Sequence, residues 1–157
     1  MEPLIILVTI FLLAVVIIRI IKKKWQLNLA GRITMSVLLL FTAAAHFIYP
    51  EGMALMLPGF IPYKAAVIYL TGFIEILAAT GLLIPRYQKL TSWLLILFLV
   101  LILPANIYAA IHHVNLKTAT NDGRGLNYLW FRIPLQLLFI AWVYYFGIKK
   151  RAKLHGG

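Results

Sequence analysis

Four polar side chains interrupt the long apolar stretches of this 157-residue chain: His46, Glu75, Asn106 and Arg132. Each of them falls in a different stretch. Ionisable groups inside a membrane are costly, and they normally face the interior of a helix bundle and pair with one another. The carboxylate and the imidazole could exchange protons, while the guanidinium and the amide could donate hydrogen bonds. The sequence therefore predicts one shared polar pocket that opens toward the outer side of the membrane.

The last apolar stretch carries a polar face. Tyr128, Arg132 and Gln136 follow one another at a spacing of four residues, which places them on one side of a helix. We therefore add Tyr128 and Gln136 to the predicted ligand or proton pocket.

Glu75 and Arg132 have two interpretations, which the sequence leaves open. They could form a structural ion pair that fixes how the helices pack, because buried pairs can specify an arrangement without adding stability. They could instead clamp a ligand or relay a proton. Either way an ionised Glu75 requires a positive partner, and we expect Arg132 to be its counter-charge, with His46 as the second candidate.

The histidines do not predict a metal site. His112 and His113 are adjacent, so on a helix they point in different directions, and no second carboxylate accompanies them. The chain has no cysteine, which excludes thiolate metal sites and disulfides from its own residues. His46 is interpreted either as a histidine hydrogen-bonded near the membrane surface or as a proton-exchanging group.

The elements that must position these residues are membrane helices. Hydrophobic residues make up 63% of the chain and its mean hydropathy is +0.93, which is outside the range of soluble proteins. Backbone groups in lipid must be satisfied within the segment, which favours helices. The sequence predicts an all-α polytopic bundle with five spans, at about 3–21, 33–49, 64–84, 90–111 and 127–147. Charges follow the first apolar run without a cleavage site, so this run is predicted to be a retained helix.

Basic residues set the predicted orientation. The net charge is +11, but the cations sit in short clusters between apolar runs, which argues against a nucleic-acid partner. Eleven of the fifteen basic residues fall in the connections and tail assigned to one side. The positive-inside rule then places the amino terminus outside the cell membrane and the carboxyl terminus in the cytoplasm. These eleven are Arg19, Lys22, Lys23, Lys24, Arg32, Arg86, Lys89, Lys149, Lys150, Arg151 and Lys153.

Local features refine this picture. Gly72 and Ala79 lie on the same helical face as Glu75, and small residues allow close helix packing, so Glu75 is predicted to point inward. Pro104 removes a backbone hydrogen bond to Val100, which predicts a kink beside Asn106. The segment 49–64 is apolar and rich in proline, and we expect it to cap the bundle or lie in the membrane interface. The polar segment 112–128 is expected to be an extracytoplasmic loop.

Five motifs resemble those of the DoxX-like small membrane proteins, in the same order and at similar spacing. They are TAAAHFIYPEGM, LPGFIPY, YLTGFIEILAATGLLIPR, LPANIYAA and FRIPLQLLFIAW, and they cover about residues 33–147. The resemblance implies a DoxX-like four-helix domain at 33–157, preceded by an extra membrane helix and basic loop at 1–32. It also implies an association with redox-linked membrane systems. The recurring polar positions of that family correspond here to His46, Glu75, Asn106 and Arg132.

Two hypotheses of function follow. In the first, the chain is a redox-associated accessory subunit whose outward-facing pocket binds a quinone or another small organic ligand, beside a membrane or extracytoplasmic oxidoreductase subunit. In the second, it is a non-catalytic assembly protein whose intramembrane polar residues are purely structural. Transport is less favoured because no inverted repeat is visible. No catalytic set of residues is recognisable, so no reaction is assigned.

Overall fold

The computed structural model describes residues 2–149, and this part of the chain is all-helical, without a β-strand. A short 3₁₀ helix, Gly125–Tyr128, leads into the last α-helix, and a π-helical turn, Tyr144–Ile148, follows it. The α-helices are α1 (Glu2–Lys22), α2 (Leu27–Ile48), α3 (Pro50–Ala54), α4 (Lys64–Leu83), α5 (Gln88–Ile111) and α6 (Leu129–Val143).

Five helical segments within residues 2–149 are long and apolar enough to cross a membrane. They are α1, α2, α4, α5 and the continuous run from Gly125 to Ile148, each 20 to 24 residues long. A span needs about 20 residues at 1.5 Å rise per residue. The chain is therefore a multi-pass membrane protein by the length and composition of its helices, and the prediction of five helices able to span is confirmed.

One predicted boundary is wrong. The second helix begins at Leu27 rather than near residue 33, so Arg32 lies inside α2 and not in the first connection. The guanidinium of Arg32 is hydrogen-bonded inside the bundle. Its Nη1 donates to the side chain of Gln88 and lies 3.5 Å from the carbonyl oxygen of Leu82. These acceptors lie fifty and fifty-six residues away in sequence, and they allow a cation to lie within the helix.

The spans alternate in direction and give the bundle two different ends. One end holds the connections 23–26 and 84–87 and the close of the π-helical turn, and we call it the basic end. The other holds the start of α1 and the connections 49–63 and 112–124, and we call it the loop end. α3 lies at the loop end and does not span.

The core is a cluster of apolar side chains that come from all five spanning segments. α1 contributes little to it, since most of its aliphatic side chains are exposed, as expected for a helix whose surroundings are lipid. The buried cluster comprises Leu7, Met35, Leu38, Leu39, Ala78, Ala79, Leu82, Leu95, Leu99, Leu135, Phe139 and Val143.

α2 and α4 pack closely as antiparallel neighbours. A Cβ atom added to Gly72 would lie 3.0 Å from Cβ of His46, a tighter contact than side chains usually make, so glycine favours this close approach. Further along the interface, the hydroxyl of Ser36 donates to the carbonyl oxygen of Ala79 at 2.8 Å. Gly72, Glu75 and Ala79 are all buried, so this face of α4 points into the bundle as predicted.

Polar contacts also join the helices at the basic end. Gln88 donates from Nε2 to the carbonyl oxygen of Gly147 at 2.8 Å. A Cβ atom at Gly147 would clash with Oγ of Ser92, which explains why the π-helical turn places glycine there. Trp142 donates from its indole nitrogen to the carbonyl oxygen of Gly31 at 3.0 Å. These bonds tie α2, α5 and the end of α6 together.

Candidate functional site

A cavity of about 310 Å³ lies at the loop end, between α2, α4, α5 and α6. This volume is at the lower end of the range for ligand pockets, about 300 to 1,000 Å³. The six side chains that the sequence predicts for a shared pocket all line it: His46, Glu75, Asn106, Tyr128, Arg132 and Gln136. The fold thus brings together residues that lie up to ninety positions apart.

The acidic side of the cavity is formed by α2 and α4. Glu75 is 6% exposed, and its Oε2 accepts a hydrogen bond from the hydroxyl of Thr42 at 2.9 Å. Nδ1 of His46 lies 3.6 Å from the same carboxylate oxygen and 3.0 Å from the backbone oxygen of Thr42. If Nδ1 carries the hydrogen, it donates to this backbone oxygen and leaves Nε2 as an acceptor.

Arg132 is not the direct partner of Glu75, which corrects the expectation from sequence. No ion pair within 4 Å joins them in the described part of the chain, and Arg132 acts on the carboxylate only at longer range. The reason is depth. Both helices start at the loop end, but Glu75 lies eleven residues beyond the start of α4, whereas Arg132 lies three beyond the start of α6.

The guanidinium of Arg132 instead carries an unused hydrogen-bond donor. Its Nε is buried and has no hydrogen-bond partner within residues 2–149. Leaving a buried donor of a charged group unsatisfied costs about 1–3 kcal/mol or more, and such groups often mark a binding function. The other buried polar atom without a partner there, Oδ1 of Asn28, lies at the opposite end of the bundle.

The two amides form a chain of hydrogen bonds across α5 and α6. Nδ2 of Asn106 donates to Oε1 of Gln136 at 3.1 Å, and Nε2 of Gln136 donates to the backbone oxygen of Leu99. Both amides are buried. Part of the donor capacity expected to face a ligand is therefore used to hold α6 beside the proline-containing segment of α5.

The rest of the cavity is mainly apolar. Its walls come from aliphatic and aromatic side chains of the spanning helices, and its roof from residues of the two loop-end connections. A Cβ atom at Gly52 would clash with the carbonyl oxygen of Leu116, so the two connections are in close contact. The apolar lining includes Met35, Leu38, Phe98, Ile102 and Phe139 in the walls and Met53, Met56, Leu57 and Leu116 in the roof.

Two threonines that line the cavity were missed by sequence reasoning. Thr42 precedes His46 by four residues and Thr71 precedes Glu75 by four, so each lies on the same helical face as the ionisable residue. That spacing was a usable signal. The signal is a weak one, because a threonine within a helix usually bonds to its own backbone, as Thr71 does to Ile68 at 2.8 Å.

The adjacent histidines of the 112–124 connection have separate partners. The ring of His112 stacks on Tyr108 with 3.9 Å between centroids, and the ring of His113 packs against Gly125. Within residues 2–149, no group of three or more potential metal ligands is brought together.

The arrangement can bind a small molecule with an apolar body and a hydrogen-bond acceptor. The guanidinium of Arg132, which lines the cavity, supplies hydrogen-bond donors, and the Glu75 and His46 pair supplies groups able to take up or release a proton. The apolar walls lower the local dielectric constant, which strengthens such polar contacts.

Comparison with known proteins assigns the chain to a family. The sequence model of the family described as Domain of unknown function (DUF8561) matches residues 35–147, which include α4, α5, α6 and most of α2. No curated protein and no solved structure matches the chain. The chain belongs to the DUF8561 family.

Proposed function

We propose that this member of the DUF8561 family is a redox-associated accessory subunit of the membrane that binds a quinone or a similar small organic ligand in its loop-end cavity. The observation that carries the proposal is that Arg132 lines a cavity large enough for a ring, while its buried Nε has no hydrogen-bond partner within residues 2–149, so its guanidinium keeps donor capacity. A ligand carbonyl is an acceptor that would satisfy this donor.

Several features of the cavity support a neutral ligand of this kind. Glu75, when ionised, and Arg132 bring opposite charges to the lining without a direct ion pair, so a neutral molecule with polar oxygens fits this lining better than an ion. The methionine and leucine side chains suit an apolar ring or tail. The proposal that the ligand is a quinone also rests on the resemblance to the DoxX-like proteins, which implies an oxidoreductase subunit as partner.

We further propose that the loop end faces outward and that the basic end faces the cytoplasm of a cell-membrane protein, following the positive-inside rule. The absence of cysteine makes this simple to test. In intact cells, a membrane-impermeant thiol reagent should label Thr118→Cys and not Lys24→Cys. The reverse pattern would overturn the orientation.

The proposed ligand is tested by blocking the cavity. Ala45 lines it, whereas the neighbouring Ala44 is exposed on the outer surface of α2. Mass spectrometry of organic extracts from the purified protein should detect quinone with the wild type and Ala44→Phe, and little or none with Ala45→Phe. Absence of quinone from the wild type, or equal amounts from the two variants, would refute this function.

An assembly role is the second candidate, and exposed aromatic rings at the loop end favour it. Phe60 and Tyr63 are 84% and 86% exposed, and Trp130 is 85% exposed. Such rings anchor proteins at the membrane interface, but they are also common in contacts between proteins. A photocrosslinker at Phe60 should capture a defined protein in native membranes if this role is correct, and only lipid if it is not.

A further inference from the structure

The basic end carries a concentrated positive charge. Exposed cations come from the end of α1 and its following turn (Arg19 and residues 22–24), from the α4–α5 connection (Arg86 and Lys89) and from Lys149. We call these residues the basic patch. Their side chains are not drawn into the bundle, unlike Arg32, whose guanidinium bonds to Gln88 and to backbone oxygens.

Negative charge is kept away from this patch. The chain has only four acidic residues. Glu2 stands at the start of α1, Glu51 and Asp122 lie in the loop-end connections, and Glu75 lines the cavity. No acidic residue of the described chain is therefore available to neutralise the patch, which must attract anions from its surroundings.

The turn after α1 has an ordered structure. Nη1 of Arg19 donates to the backbone oxygen of Lys23 at 2.6 Å, and the same guanidinium lies over the ring of Trp25, 5.2 Å from its centroid. Lys23 adopts a left-handed conformation with φ of 52°, which is unfavourable for a residue other than glycine. Arg19 thus holds the turn through its contacts with Lys23 and Trp25. Three consecutive lysines, residues 22–24, lie in this turn at the end of α1.

Aromatic rings place the patch at the depth of lipid headgroups. Besides Arg19 and Trp25, Arg86 lies over Tyr87 at 5.8 Å and Lys149 over Tyr145 at 5.2 Å. All three of these cation–π contacts are at the basic end. Exposed tryptophan and tyrosine side chains at the ends of membrane helices occupy the interface. The cations beside them therefore lie in the plane of the phosphates.

We propose that the basic patch is a binding surface for the phosphate headgroups of anionic phospholipids. The partner is the surrounding bilayer, because the cations are distributed around the ends of several spanning helices and sit beside interfacial rings. Juxtamembrane cations contribute about 1 kcal/mol each to binding an anionic surface, a factor of about five in affinity. This inference is independent of the ligand proposed for the cavity.

The test uses two double variants of the full chain that remove the same charge at opposite ends. Lys22→Gln with Lys24→Gln removes two cations of the basic patch, and Lys117→Gln with Arg124→Gln removes two cations of the loop end. Native mass spectrometry from bilayers of mixed phosphatidylglycerol and phosphatidylcholine measures which lipids stay bound. Thiol labelling of an added Thr118→Cys checks that each variant keeps its orientation.

The wild type should retain phosphatidylglycerol in preference to phosphatidylcholine. In the basic-end variant, the ratio of retained phosphatidylglycerol to phosphatidylcholine should fall roughly fivefold for each cation removed. In the loop-end variant this ratio should stay at the wild-type value. Equal retention of both lipids by the wild type, or equal losses in the two variants, would overturn the proposal. Inorganic phosphate and an acidic peptide are added as competitors at equal concentrations of negative charge. Full displacement of the bound lipid by either competitor would also overturn the proposal, because it would indicate a site for soluble anions.

Discussion

The buried carboxylate of Glu75 takes its hydrogen bond from the hydroxyl of Thr42, 2.9 Å away on the neighbouring helix. This contact joins α2 to α4 and fixes the acidic side of the cavity. The guanidinium of Arg132 is therefore not bound to this carboxylate. This is the arrangement expected if a bound ligand completes the site.

Replacing Thr42 by valine should destabilise the bundle, because valine has the same shape but leaves the buried carboxylate without this donor. We expect a loss between about 0.6 kcal/mol, the average for hydrogen bonds between membrane helices, and about 3 kcal/mol for a charged acceptor. Thermal unfolding in detergent measures it. Thr80→Val is the control, since Thr80 is exposed and bonds only to carbonyl oxygens of its own helix. Equal effects of the two changes would show that the bond to Glu75 adds nothing.

Replacing Gly72 by valine should separate α2 from α4. The new side chain would meet Cβ of His46 at 3.0 Å and the ring of Phe47 at 3.1 Å, and overpacking of this kind costs about 1–3 kcal/mol. Gly59→Val is the control, because no atom lies within 4 Å of a Cβ atom there. The stability of the two variants in detergent should differ clearly, and equal stability would contradict the close packing described here.

Replacing Trp142 by phenylalanine should lower stability by about 0.5–1.5 kcal/mol, because the change removes the indole donor to Gly31 while keeping an aromatic ring. Trp130→Phe, at a position 85% exposed, should have little effect on unfolding. Ligand binding at the loop end should be unchanged in both variants, since Trp142 does not line the cavity. Loss of ligand from Trp142→Phe alone would show that the two ends of the bundle are coupled.

Asp122 provides a test of the loop-end connection. The hydroxyl of Thr120 donates to its carboxylate and, with Asn115, holds the pKa of Asp122 below its usual range. A lowered pKa in the folded state favours the folded loop at neutral pH, and this contribution is lost as the pH falls through that pKa. Thr120→Val should raise the pKa of Asp122.

The chain has one aspartate, so NMR of protein with selectively labelled aspartate gives a single side-chain carboxyl signal to titrate. Thr80→Val, in the membrane span, should leave the titration unchanged. If Thr120→Val also leaves it unchanged, the hydrogen bond is not formed in solution.

The sequence predicted the helices well because the bilayer imposes their length. It failed at the start of α2, where the segment containing Asn28 and Arg32 is too polar to resemble a span. The acceptors that stabilise Arg32 come from Leu82 and Gln88 and are visible only in three dimensions. The close contact of Gly147 with Ser92 in the π-helical turn joins residues more than fifty positions apart. It could not be predicted from the sequence either.

The six residues predicted for the pocket do line one cavity, because polar groups in lipid have few places to lie other than the bundle interior. Their pairing was harder to predict. Helical spacing gives the face on which Arg132 lies, and the predicted starts of the two spans place Glu75 deeper than Arg132, but the sequence does not show whether helix tilt and the long guanidinium side chain close that gap. That depth depends on where each helix starts, and for this reason Thr42 rather than Arg132 bonds to the carboxylate.

The most direct test of the central claim measures the binding of a short-chain quinone to the purified protein by calorimetry or fluorescence. The wild type should bind one molecule per chain saturably. Arg132→Gln should weaken binding by roughly tenfold or more, because a hydrogen bond from a charged donor is worth about 1.5–3 kcal/mol. Arg124→Gln, which removes an exposed cation of the same end, should bind like the wild type. No saturable binding by the wild type, or equal affinities of the two arginine variants, would contradict the account.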